Sequence, residues 1–318
     1  MSIMGIPSYF SYIIKNHVNI VRKLSDTGTI HHLFMDCNSI IYDIFHALPV
    51  HMKNEENFNE PGLIETIIDK IREYVQYIRP SKTLFIAFDG VAPLAKMDQQ
   101  RTRRHKTLWT STPGATTWST CNITPGTPFM QMLSDRVNVA FSEMGIETVI
   151  VSSSLQCGEG EHKLFQHIRK QSLIDDTAAV YGLDSDLIML SLFHCERFAK
   201  LYVFRETPEF IKNQIPCCED PCHFLDIGHL CGAILREMKT QNPSRIYDYV
   251  FMCFFLGNDF LPHFPSLNLR SNGLQFLLHS YRKVFGNAKY SLIDDNKTIQ
   301  WKQVRRFILY MANKNMIY

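Results

Sequence analysis

Net charge is what this sequence has least of. Its 318 residues carry 33 Lys or Arg against 31 Asp or Glu, a formal charge of +2. Uptake of nucleic acid by overall basicity is thereby excluded, and any site for a polyanion has to be local. Long apolar stretches are also missing. The longest clean run is Val250–Gly257, far below the ~20 residues that a membrane span needs. The first ten residues, MSIMGIPSYF, lack the basic start, the apolar stretch and the small-residue cleavage site of a signal peptide. Charged residues make up only 20% and hydrophobic ones 45%, which argues against disorder. A chain of this length and composition suits two domains or one large α/β unit.

Cysteine is present nine times, mostly inside apolar segments, and without a secretion signal the thiols read as free in a reducing compartment. The exception is a cluster of Cys217, Cys218, Cys222 and His223, followed by His229 and Cys231. Its spacing fits no paired-ligand zinc pattern, so the reading is a cysteine-bearing surface loop, with structural zinc as the alternative. No strong basic nuclear tract stands out. The cytoplasm is the expected compartment, with the nucleus left open.

Short apolar runs at Leu33–Met35, Thr83–Phe88, Glu147–Val151, Ala178–Leu183 and Leu201–Arg205 read as buried strands. Helical patterns lie between them. Leu63, Ile64, Ile67, Ile68, Ile71, Tyr74, Val75 and Ile78 repeat at three-to-four spacing. So do Phe129, Met132, Leu133, Val137, Ala140, Phe141 and Met144, behind Thr127 as N-cap and Pro128 at the first helical position. Strand–helix alternation predicts an α/β fold with a mainly parallel sheet flanked by helices. Beyond Pro262 the pattern is helical. The Thr/Ser-rich stretch Trp109–Asn122 reads as an exposed loop.

Carboxylates recur where these strands end. Met35 runs into Asp36, and Phe88 into Asp89. Leu183 runs into Asp184 with Asp186 two residues on, and Asn258 into Asp259. Glu159 and Glu161 follow the strand that ends near Ser152. Ligands of parallel α/β sheets bind outside the carboxyl ends of the strands, so these acids are expected at one edge. Seven carboxylates packed together resist ionisation unless cations neutralise them. Hard divalent cations take oxygen ligands, and two such ions ~4 Å apart clamp the attacking and leaving oxygens of a phosphoryl displacement. Any one Asp after a strand is more often a turn or cap residue, and Glu159 and Glu161 could simply complement a helix N-terminus. Asp184 and Asp186 alone would also suit a phosphatase with an Asp nucleophile. Recurrence favours the two-metal reading, because the phosphatase leaves the other acids without work.

A basic segment follows Asp89. Residues 96–106 hold five Lys or Arg against Asp98. Lys96, Gln100, Arg103 and Arg104 fall at i, i+4, i+7 and i+8, one stripe of a helix. That donor set suits a terminal phosphate, although a basic helix face is more often merely solvated.

Taken together, these residues resemble the Xrn-type 5′–3′ exoribonucleases. The resemblance rests on ordered blocks: Met4–Phe10, Met35–Asn38, Phe88–Pro93, Lys96–Arg104, Ile123–Met130, Gly158–Lys163, Tyr181–Leu190 and Phe255–His263. It implies a PIN-like nuclease core over residues 1–262, with a helical extension packed on it over 263–318. The implied activity is stepwise hydrolysis of 5′-monophosphorylated single-stranded RNA to mononucleotides, with two Mg²⁺ ions and Mn²⁺ as a substitute. Asp36, Asp89, Glu159, Glu161, Asp184, Asp186 and Asp259 match the family's metal-binding acids. Lys96, Gln100, Arg103 and Arg104 match its 5′-phosphate pocket. Tyr42 stands where the family carries a His that stacks on the terminal base. The family's Trp partner for that ring belongs to a later region that this sequence does not include. Cys157 replaces a Pro, Asp98 replaces an Asn, and the segment between Arg104 and Ile123 is shorter than the family's helical tower. A flap or single-strand DNA 5′ nuclease, and a non-catalytic binder of 5′-phosphorylated RNA ends, remain the alternatives.

Overall fold

Short buried strands alternate with amphipathic helices along most of the chain. The computed structural model describes residues 6, 9–53, 58–110, 118–207, 222–258, 261–264, 267, 269, 272–286 and 288–315. Leaving out single turns, the order is α1 (Tyr9–Asn16), β1 (Val21–Arg22), β2 (His32–Asp36), α2 (Asn38–Ala47), α3 (Glu60–Ile78), β3 (Thr83–Ala87), α4 (Leu94–Thr110) and α5 (Pro128–Phe141). It continues with β4 (Thr148–Ser152), α6 (Gly160–Lys170), β5 (Thr177–Tyr181), α7 (Ser185–His194), β6 (Lys200–Glu206), β7 (Cys222–Asp226), α8 (Ile227–Glu237), α9 (Arg245–Cys253), α10 (Gly273–Phe285) and α11 (Trp301–Asn315). The fold is α/β, with a mainly parallel sheet and flanking helices. No helix among the described residues is long and apolar enough to cross a membrane.

Two compact units divide the chain. One comprises Leu24–Leu183 with Arg197–Ala199. In it β5, β2, β3 and β4 lie side by side in that order, all parallel. Leu33, Phe34, Met35, Leu84, Ile86, Ala178, Ala179 and Val180 are buried, as a parallel sheet covered on both faces requires. The helix expected over Leu63–Ile78 is α3, and all eight of its periodic apolar residues are buried. Each such side chain contributes roughly 1.5–3 kcal/mol before conformational entropy is subtracted. Asn59 caps α3 by accepting a hydrogen bond from Gly62 N at 2.9 Å, and Arg79 ends it in the left-handed region at φ 54°. Thr127 caps α5 through Met130 N, with Pro128 in its first turn, as the sequence indicates. That helix stops at Phe141, so Met144 lies beyond it.

One sequence expectation is corrected here. Trp109 and Thr110 belong to the last turn of α4 rather than to a loop. Trp118 is not an exposed loop residue either. Its ring lies 4.8 Å from both Phe45 and Phe58 and 5.1 Å from Phe129, and its Nε1 donates to Glu60 Oε1 at 2.6 Å. Packing of this half-buried ring against three aromatic rings, with a partner for its N–H, outweighs the polar residues around it.

The other unit comprises Met1–Lys23, Asp184–Glu196 and Lys200–Tyr318. Here β7 pairs antiparallel with both β6 and β1. Leu274, Leu277, Leu278, Tyr281 and Phe285 of α10 face Val304, Phe307 and Met311 of α11, with Phe307 6.0 Å from Phe285. Cys222 and His223 lie buried in β7 rather than in a surface loop, and Cys222 is a free thiol. His229 pairs with Asp226 at 2.7 Å. Cys217 and Cys218 lie outside the described residues.

Candidate active site

Parallel register sets the position of the first acids. Asp36 pairs with Ala87 across β2 and β3, and Ala87 with Ser152 across β3 and β4, so the three strands end level. Asp36 closes β2, Asp89 follows β3 by two residues, and Glu159 is the N-cap of α6 with Glu161 in its first turn. Asp36, Asp89, Glu159 and Glu161 are thus delivered to one edge of one unit. Gly160 lies between the two glutamates because the approach is close. A Cβ there would collide with Asp36 Oδ1. Gly90 is equally constrained, since a Cβ would collide with the Gln156 carbonyl.

Asn38 fixes Asp89. Its Nδ2 donates to Asp89 Oδ2 at 2.9 Å, and its Oδ1 accepts from Asp89 N at 2.9 Å. Gly160 N, at the start of α6, donates to Asp89 Oδ1 at 2.7 Å. Burial raises the Asp89 carboxyl above its usual range and the charge of Glu159 adds to that, while the Gly160 hydrogen bond, Lys96 and Lys163 oppose it. Lys163 is buried beneath the site. Its Nζ donates to the carbonyls of Phe88 at 2.7 Å and Ser153 at 2.8 Å, tying the ends of β3 and β4 together. Burial pulls its pKa down to about 8.

Glu159 is 3% exposed and meets Lys96 Nζ at 2.5 Å through Oε1. Its Oε2 is buried without a hydrogen bond, 3.6 Å from His162 Nδ1. Glu161 Oε1 lies 3.6 Å from the same nitrogen. Ligand atoms of Glu159, Glu161 and His162 all fall within 4.8 Å of one another. A buried carboxylate oxygen without a hydrogen bond, in an oxygen-rich set beside Asp36 and Asp89, fits a hard divalent cation.

The basic stripe divides in two. Lys96 is half-buried on Glu159, whereas Gln100 and Arg104 line a surface cavity of about 440 Å³ with Val91, Arg101, Thr124 and Pro125. Arg101 pairs with Asp98 at 2.8 Å on the exposed side of α4. Arg103 is helical, and its side chain lies outside the described residues. Tyr42 is 36% exposed on α2, one turn beyond Asn38. Asp184 is the N-cap of α7 and Asp186 lies in its first turn, both in the other unit. Asp259 lies outside the described residues.

This sequence matches the family described as XRN 5′-3′ exonuclease N-terminus over residues 4–207, and that described as Xrn1 helical domain over residues 241–317. The chain belongs to the XRN family. It is 32% identical to the 5′-3′ exoribonuclease 2 of Candida albicans, an alignment covering 98% of this chain and 39% of that protein. It is 27% identical to the Arabidopsis thaliana protein of the same name, over 96% of this chain and 39% of the relative. The Saccharomyces cerevisiae protein is 29% identical, over 90% and 36%. The chain therefore spans about two fifths of the length of these relatives. Among solved structures, the catalytic core of Rad2 in complex with DNA substrate overlays with a TM-score of 0.49 at 13% identity, over 97% of this chain and 81% of that one.

Within this XRN chain, sequence reasoning missed Asn38 and Lys163 as parts of the site. Both stand inside the blocks that carry the resemblance. Asn38 had a usable signal in its position, two residues past a strand-terminal acid and at the start of a helix. Lys163 had none, because a lysine in the first turn of a helix usually points to solvent.

Proposed function

We propose that the chain is a metal-dependent nuclease that removes nucleotides one at a time from the 5′-monophosphorylated end of single-stranded RNA. Membership of the XRN family and the names of its relatives support the direction and the substrate class. The single observation that carries the reading is the contact between Lys96 and Glu159. It joins a phosphate-type donor stripe to a buried carboxylate cluster within one unit.

Asp36, Asp89, Glu159 and Glu161 would hold Mg²⁺, with Mn²⁺ able to replace it. Asp184, Asp186 and Asp259 carry the same role on sequence grounds. Bound divalent ions supply charge neutralisation for the phosphate and activation of water. The chain's own residues do the rest. Asn38 and Gly160 N orient Asp89, and Lys163 fixes the strand ends on which the acids stand. Gln100, Arg103 and Arg104 hold the 5′-phosphate, so that only the bond between the first and second nucleotides reaches the acids. Water adds to the phosphorus of that bond, the 3′-oxygen of the first nucleotide leaves and takes up a proton, and a 5′-monophosphate is released. The shortened strand again ends in a 5′-phosphate, so the same pocket serves the next step. Tyr42, exposed on α2, would stack on the terminal base.

A time course on 5′-labelled monophosphorylated RNA, with Mg²⁺ or with EDTA, tests the reading. Labelled mononucleotide appearing first, only with metal, is the expected result. Matched DNA cleaved equally well would replace RNA by single-stranded DNA as the substrate. Tight RNA binding without any release in Mg²⁺ or Mn²⁺ would leave an end-binding protein instead.

A further inference from the structure

The cations of this chain are unevenly distributed. Residues 273–315 hold eight Lys or Arg against Asp294 and Asp295, a local charge of +6 in a chain of +2 overall. Two of the eight are committed. Lys297 pairs with Glu196 at 2.8 Å and lies over the Tyr247 ring, and Arg282 donates to the Glu237 carbonyl at 2.9 Å. The C-terminal helix α11 is different. It contains Lys302, Arg305, Arg306 and Lys314 and no acid, all four are exposed, and none forms an ion pair among the described residues.

Its geometry is two-sided. Val304, Phe307 and Met311 are buried, so the opposite face carries Trp301, Arg305 and Leu309 at i, i+4 and i+8, flanked by Lys302 and Arg306. Trp301 is 69% exposed and Leu309 53% exposed. An exposed aromatic ring and an exposed aliphatic side chain thus stand among cations on one face. Just before the helix, Gln300 N donates to Leu292 O at 2.8 Å and Ile293 pairs with Ile299, closing a small hairpin. Tyr290, 61% exposed, and Trp301 flank the two ends of that hairpin.

We propose that this face of α11, with Trp301 and Tyr290, is a second binding surface for single-stranded RNA, distinct in its residues from the carboxylates and the α4 stripe. Uncompensated cations take phosphates, and exposed aromatic rings stack on bases of any sequence. Trp301 and Leu309 are separated by roughly 12 Å of helix rise, the length over which a stacked strand presents about three phosphates. An acidic peptide would satisfy the cations but would give Trp301 and Tyr290 no stacking partner. The inference rests on the proposed RNA substrate.

Fluorescence anisotropy in EDTA, where hydrolysis is blocked, reads the surface directly. The probes are a 5′-monophosphorylated RNA of about 20 nucleotides and one of about four with the same 5′ end, the shorter engaging the protein through its 5′-phosphate. Trp301→Ala is expected to weaken the long RNA about tenfold. Arg305→Glu with Arg306→Glu should weaken it further and lower the salt slope by about 1.4. The short RNA should change by less than about twofold in either variant. Unchanged affinity for the long RNA in both variants overturns the proposal, as does an equal loss for long and short RNA. So does wild-type protein that binds a poly-glutamate peptide through this face in preference to RNA. Nucleotide release by the wild type in Mg²⁺ is measured separately. Its failure would sink the proposed activity while leaving the binding result readable.

Discussion

Lys96 Nζ lies 2.5 Å from Glu159 Oε1, and both side chains are largely withdrawn from water, at 13% and 4% exposure. The pair spans the two halves of the site, so its energetics report on both. Removing one partner of a buried ion pair costs about 3–5 kcal/mol, because the remaining charge is left uncompensated. Lys96→Met should therefore lower the melting temperature by roughly 5–10 °C in EDTA. A divalent cation on the freed carboxylate restores what the lysine supplied. Mg²⁺ should stabilise the variant more than the wild type, since binding only the native state adds stability by mass action. Thermal melts of both proteins across a Mg²⁺ titration check this, and equal stabilisation would mean Glu159 is no ligand.

Asn38 makes both of its hydrogen bonds to one residue, Asp89, so its effect passes through that carboxylate. Asn38→Ala should leave Asp89 free to rotate and lower metal affinity or turnover about 10–100-fold, the range for groups that orient ligands. The readout that separates orientation from general damage is the Mg²⁺ dependence of kcat. The concentration for half-maximal activity should rise while KM for RNA stays near its wild-type value. Asn38→Asp should be worse than alanine, since it adds a like charge beside a carboxyl already raised by burial.

Much of this site was legible because a parallel sheet turns sequence position into spatial position. An acid at the end of a buried run must stand at the edge where the other runs end, and Asp36 and Asp89 required no further information. Glu159 and Glu161 were legible from the strand that ends near Ser152, ahead of them in the chain. What stayed hidden depends on side-chain direction. Helical spacing put Lys96 on the stripe with Gln100, Arg103 and Arg104, but spacing cannot say that Lys96 turns toward Glu159. The Cys222–His223 pair read as part of a cysteine-bearing surface loop, whereas Cys222–Asp226 satisfies its backbone by pairing with both β1 and β6. Trp118 misled for a different reason. Its neighbours are polar, and the three aromatic rings of Phe45, Phe58 and Phe129 account for its half-buried position.

His223 gives the chain an acid sensitivity of its own. It is 2% exposed in β7, stacks at 5.8 Å on Phe10, shares a 3.0 Å hydrogen bond with Thr207 and feels the charge of Arg205, whose guanidinium lies over the same Phe10 ring. Burial first, and Arg205 second, push its pKa down to about 3. The folded state therefore holds the ring neutral while the unfolded chain protonates it near 6.5. This contribution is complete above about pH 6.5 and is lost as the pH falls toward 3, by about 2 kcal/mol near pH 5. His223→Leu removes the titration at similar volume. The melting temperature of the variant should fall less between about pH 7 and pH 5 than that of the wild type. Parallel falls would place the sensitivity elsewhere.

Asp248 secures the return of the chain from α10 toward α11. Its Oδ1 accepts from Ile293 N at 2.7 Å, and its Oδ2 accepts from Tyr281 Oη at 2.5 Å and from Arg245 at 3.2 Å. Arg245 in turn donates to the carbonyls of Tyr290 at 2.7 Å and Ala288 at 2.9 Å. One fully buried carboxylate thus holds the segment on which Tyr290 and the start of the 292–300 hairpin depend. Asp248→Ala leaves a buried guanidinium without its counter-charge and the buried Ile293 N–H without its acceptor, at a cost of about 3–5 kcal/mol. Asp248→Asn keeps an acceptor for Ile293 N and should cost about half as much. Burial already holds the Asp248 carboxyl above its usual range, so the neutral amide is the smaller change. Chemical denaturation of the two variants should rank alanine well below asparagine. Hydrogen exchange should show the backbone amides of 288–300 opening first in both, and unchanged protection there would mean that Arg245 and Asp248 stabilise only α9.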